Sequence, residues 1–80
     1  MVILDDEQIL EQGLRDYGEH FKMNLEITNL GDYFVYDPIT KDHFVSPNLS
    51  SGLFEMRRRY PGRVFFTIRI GEKGVYKFER

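Results

Sequence analysis

Cysteine is absent from all 80 residues. Neither a disulfide framework nor a thiolate metal site can therefore stabilise the chain, and a reducing compartment suits it. Tryptophan is absent too, and there are only three prolines. The longest apolar stretch near the start is Val2-Ile3-Leu4, far below the roughly 20 residues a membrane span needs. No glycine-rich phosphate loop occurs, because Gly71 and Gly74 fall in a hairpin sequence and not before a helix. The two histidines, His20 and His43, lack metal-ligand spacing. These absences predict no metal, no cofactor, no membrane partner and no catalytic motif. They point to a cytoplasmic protein that is not an enzyme.

What the chain does have is aromatic bulk. Seven Phe and five Tyr supply large buried areas from few positions. That suffices for one core in a chain this short, so a single domain over residues 1–80 is expected. The chain begins at Met and keeps its pattern to the end, which predicts a complete small protein.

Asp5 reads as an N-cap, with Gln8 placed to close a capping box and Asp6 and Glu7 in the favourable first turn. Leu10, Leu14, Tyr17 and Phe21 recur at helical spacing. Gly13 shares that face, which predicts close backbone packing against a sheet. The period then changes to two: Met23, Leu25 and Ile27 alternate with Asn24, Glu26 and Thr28, the pattern of a half-buried strand. Tyr33–Tyr36 and Asp42–Val45 predict a hairpin around the turn Asp37-Pro38-Ile39-Thr40-Lys41. Ser46-Pro47 opens a second helix whose stripe is Leu49, Leu53, Met56 and Tyr60, and Pro61-Gly62 ends it. A strand, RVFFTIRI, follows, burying Val64, Phe66, Ile68 and Ile70 and turning Phe65, Thr67 and Arg69 outward. A three-residue loop with Gly74 left-handed would set Ile70 opposite Tyr76 and Ile68 opposite Phe78. The order is α-β-β-β-α-β-β. The fold class is α+β, an antiparallel sheet with two helices packed on it.

Helix, three strands and helix is also the opening order of double-stranded RNA-binding domains. Those place a lysine cluster at the start of their second helix, where this chain reads SPNLSSG. Nothing is transferred from them.

Charge is unevenly divided. Residues 1–40 hold nine acids and two bases, a net −7; residues 41–80 hold four acids and nine bases, a net +5. Such polarity suits an oriented macromolecular partner. The outer face of the first helix is acidic through Asp5, Asp6, Glu7, Glu11, Asp16 and Glu19. The basic candidates are Arg57, Arg58, Arg59 and Arg63 around the end of the second helix. On the outer face of the last hairpin stand Phe65, Arg69 and Lys77, with Arg80 beyond. Tyr36, in an aromatic-rich hairpin, completes the set, since Tyr and Arg are enriched at interfaces. The expectation is a small non-catalytic binding module acting through a protein–protein interface, as an inhibitor, adaptor or accessory factor. The alternative is nucleic-acid binding on the basic surface, with Phe65 stacking and the cations on phosphates. An open edge strand would also let a second copy pair with the sheet.

Overall fold

The computed structural model describes residues 4–72 and, by backbone pairing, 76–79. The fold is α+β. The elements are α1 (Asp6–Asp16), a π-helical turn (Tyr17–Phe21), α2 (Lys22–Thr28), β1 (Tyr33–Tyr36), β2 (His43–Ser46), α3 (Leu49–Arg59), β3 (Phe65–Arg69) and β4 (Tyr76–Glu79). The sheet is antiparallel, in the order β2-β1-β3-β4. No described helix is long and apolar enough to cross a membrane.

α1 starts as its sequence dictates. The Asp5 carboxylate accepts from the Gln8 N–H at 2.8 Å, and the Gln8 side chain accepts from the Asp5 N–H at 3.0 Å. This capping box satisfies two donors that the helix leaves open. The helix does not stop at Gly18. The Lys22 N–H reaches back five residues to the Tyr17 carbonyl, which makes a π turn, and the chain continues as α2. Helical rotation alone would carry Leu25 about 80° round from Tyr17 over eight residues. The wider π turn takes up part of that rotation. Tyr17, Phe21 and Leu25 therefore all pack on the same sheet face.

That path corrects the strand expected at Met23–Thr28, which is helical. The segment has apolar residues on two sides: Leu25 packs inward, while Met23 and Ile27 face solvent. Two apolar helix sides sampled over six residues imitate the alternation of a strand.

The helices cover both faces of the sheet. On one face Ile9, Tyr17, Phe21 and Leu25 meet Phe34, Tyr36, Phe66, Ile68 and Ile70. On the other, Leu49, Leu53, Met56 and Tyr60 meet Val35, Phe44 and Phe65. The α3 stripe is thus the one its spacing predicts, although its cap is Asn48, whose side chain accepts from the Ser51 N–H at 2.8 Å. Ser46 instead ends β2, buried.

The last hairpin pairs Ile68 with Tyr76 and Phe66 with Phe78. The register is two residues away from the one the loop spacing suggests. An even shift leaves the alternation along β3 unchanged. Lys73, Gly74 and Val75 lie outside the described residues.

Gly13 faces the sheet so closely that a Cβ there would sit 2.2 Å from the Phe66 ring. Nothing lies within 4 Å of the corresponding point at Gly18. Gly13→Ala is expected to lower stability by roughly 1–3 kcal/mol through overpacking. Gly18→Ala is expected to raise it by about 0.5–1 kcal/mol through helix propensity. Urea unfolding of the two variants checks both signs.

Candidate partner-binding surface

Four of the basic candidates, Arg58, Arg59, Arg63 and Arg69, are each engaged by a carboxylate. Arg58 and Arg59 both reach back along α3 to Glu55, at 2.6 and 2.7 Å. Arg59 also contacts Asp42 at 3.2 Å and lies over the Phe44 ring. These contacts hold the Glu55 carboxyl down at about 2. The Tyr60 hydroxyl, donating to Asp42 at 2.8 Å, lowers the Asp42 pKa as well, with Arg59 and the His43 N–H assisting against partial burial. Arg63 reaches the wholly buried Asp37 at 3.2 Å. Arg69 binds the Gly31 carbonyl at 3.1 Å and Glu72 at 3.0 Å. Arg57 projects from α3 into solvent and has contacts of its own.

Two candidates leave the surface altogether. Phe65 is 0% exposed, because the face expected to be outward lies under α3. Thr67, on the same face, is buried with it. Tyr36 is 2% exposed, and its hydroxyl donates to Asp16 at 2.6 Å. Neither ring can stack on a partner in this fold. The Lys77 side chain and Arg80 lie outside the described residues.

Asp16, expected on the acidic outer face, belongs instead to the core. Its carboxylate accepts from Tyr36, from the Lys41 ammonium at 2.8 Å and from the Gln12 amide at 2.8 Å. Lys41 arrives there from a left-handed backbone position, φ 67°, at the end of the turn that Asp37 opens by accepting from the Ile39 N–H. Burial pushes the Asp16 pKa up. The three hydrogen bonds and the lysine charge outweigh it, so the net shift is downward. The Tyr36 phenol is pushed up by burial and by Asp16. A shallow cleft beside this cluster is lined by His20, Phe21 and Lys41. A carboxylate held anionic beside a phenol held neutral does not exchange protons near pH 7. The arrangement locks the α1 end, the sheet and the 37–41 turn together. Among the described residues no group of three or more His, Asp or Glu could hold a metal ion.

The surface feature that the spacing did not announce is apolar. Met23, Ile27 and Leu30 are 81%, 78% and 69% exposed; the first two share the outward side of α2 at i and i+4, and Leu30 stands in the turn just beyond its end. Leu30 leans over Gly71, next to the point where the Gly31 N–H bonds the Ile70 carbonyl. Isolated exposed apolar side chains are ordinary, but a contiguous stripe marks an interaction site. The signal was present in the four- and three-residue steps, and the competing period of two hid it. A further exposed ring, Phe54, overhangs a shallow groove between β2 and α3 with Phe44 and Pro47.

The Asp16 pKa lies below its usual value of 3.8, so the unfolded chain binds this proton more readily. The resulting stabilisation is complete above about pH 4–5 and is lost as pH falls through the folded value. Asp16→Asn is expected to cost about 1–3 kcal/mol at pH 7. It should also flatten the loss of stability between pH 5 and 3, with Asp42 and Glu55 supplying the remaining slope. Urea midpoints across that range test both effects.

Comparison with protein-family models, with curated proteins and with solved structures finds no match for this chain.

Proposed function

We propose that the protein is a non-catalytic module that binds another protein, and that the outward side of α2 is its contact surface. The observation carrying this reading is the Met23–Ile27–Leu30 stripe, with all three side chains more than two-thirds exposed. Fully burying one such side chain is worth about 1.5–3 kcal/mol. Leaving three in water forgoes several kcal/mol, in a domain whose whole stability is on the order of 5–15 kcal/mol. A partner that covers them recovers that energy.

Less supports the nucleic-acid alternative. A phosphate-binding surface needs cations free to displace counterions. Here Arg58, Arg59, Arg63 and Arg69 each have a carboxylate within 3.2 Å. The aromatic that was to stack on bases, Phe65, is buried.

The test compares two baits in cross-linked capture from the native cell. The wild-type protein is expected to retain a specific protein that a Met23→Ser/Ile27→Ser bait loses at unchanged melting temperature. Retention by both baits sinks the reading. So does loss only when Arg57 and Arg58 are reversed to Glu.

A further inference from the structure

The charge around the stripe specifies what kind of chain fits it. Straight rotation would set Glu11 and Glu7 about 120° and 160° round from Met23; the wider π turn between them brings both back toward the outward side that also carries Glu19. All three are exposed. Among the described residues neither Glu7 nor Glu11 has an ion-pair partner, and Glu19 approaches only the exposed His20, at 3.8 Å. Arg15 stands on this side as well, while Lys22 is occupied by Glu26. The outward side thus runs from an acidic half into an apolar half.

Resting on the reading above, we infer that the occupant is a basic amphipathic helix of another protein. Its apolar residues cover Met23, Ile27 and Leu30, and its Lys or Arg residues lie along Glu19, Glu11 and Glu7. This is recognition of a helix by a helix, with apolar anchors at i and i+4 of α2 and a third, Leu30, in the turn beyond it. The charges set partner choice and direction. A second copy of this chain fits less well. Packed parallel, it sets acid against acid; packed antiparallel, it covers the stripe and leaves the acids unanswered. An anionic lipid surface is disfavoured by the same acids, since interfacial helices carry Lys and Arg on their polar sides.

The probe is a labelled 21-residue helical peptide with Leu at i, i+4 and i+7 near one end. Lys occupies the same side over the next three turns, and the peptide is made in both sequence directions. A control peptide carries Glu at every Lys position. Binding is followed by fluorescence anisotropy at 50 and 300 mM salt. The Lys peptide is expected to bind in one direction, more weakly at high salt, and the Glu peptide at least tenfold more weakly. Glu11→Lys/Glu19→Lys should weaken the Lys peptide at least fivefold, and Ile27→Glu at least tenfold. Met23→Ser/Ile27→Ser stands in if Ile27→Glu melts early.

Equal binding of the two peptides overturns the basic partner and leaves the apolar contact standing. Failure of both peptides, or binding that ignores Ile27→Glu, overturns the contact itself. Self-association of the wild-type protein that Ile27→Glu abolishes, measured by sedimentation, assigns the stripe to a second copy and overturns the inference. Co-sedimentation of the wild-type protein with phosphatidylserine vesicles, abolished by Ile27→Glu, assigns it to lipid and does the same.

Discussion

Both faces of the central β1–β3 pair are apolar, and a helix can cover only one of them. Phe34, Tyr36, Phe66 and Ile68 crowd one side; Val35 and Phe65 crowd the other. The chain therefore needs a helical unit on each face, although a sheet of four short antiparallel strands could have left one side wet. Close approach on both sides follows. Gly13 lets α1 sit directly on the Phe66 ring, and Gly52 brings α3 onto Val35, where a Cβ would come within 2.8 Å. A larger residue at either point would lift its helix and open voids under the aromatics, which tolerate little change in volume. The burial of Phe65 and Tyr36 is a consequence of this arrangement.

Burial on both sides also governs the charges. Asp37, at the start of the first hairpin's turn, and Asp16, on α1, are buried, so both lose water and must be met by protein donors. Arg63 and Lys41 fill that need from the more basic second half, joining the two halves of the charge asymmetry in the interior. Arg58 and Arg59 of α3 find carboxylates one turn back at Glu55 and, for Arg59, at Asp42 just before β2. Exposed pairs of this kind add little stability. They do offset part of the positive charge of the arginine run. Among the described residues Glu7 and Glu11 of α1 have no such cation beside them and stay exposed, so part of the acidic character of the first half remains at the surface.

Much of the architecture is legible where local chemistry and burial agree. The Asp5–Gln8 capping box, the Asp37–Lys41 turn, the Leu49–Leu53–Met56–Tyr60 stripe and the buried set Phe66, Ile68 and Ile70 all follow from spacing. The misreadings share one cause. Phe65 looks outward because alternation in RVFFTIRI is judged as if only one face were covered, and alternation cannot say how many faces are. Ser46 looks like the better cap because Ser-Pro is a strong local signal, yet Ser46 itself is taken up by β2, where it pairs opposite Tyr33. Asp16 looks like part of a solvated acidic face. Its partners, Tyr36 and Lys41, are 20 and 25 residues away, beyond the reach of any local pattern.

The α2 segment is the most instructive case, because its misreading and its role have the same origin. A segment that packs one side on a sheet needs apolar residues at one helical phase only, and Phe21 and Leu25 supply them. Met23, Ile27 and Leu30 are surplus to that task. A strand would have used Met23, Leu25 and Ile27 together on one face, but α1 leads directly into the π turn and on into α2. With the helix continued, apolar side chains that alternate in sequence must divide between the core and water. The fold leaves half of them without a partner of its own making among the described residues, along from the exposed Glu19 and Glu11. Surface of that kind reduces the solubility of a free domain and favours association. Its position on a rigid helix anchored by Phe21, Phe34 and the Asp16 cluster makes it better suited to a preformed contact than to collapse.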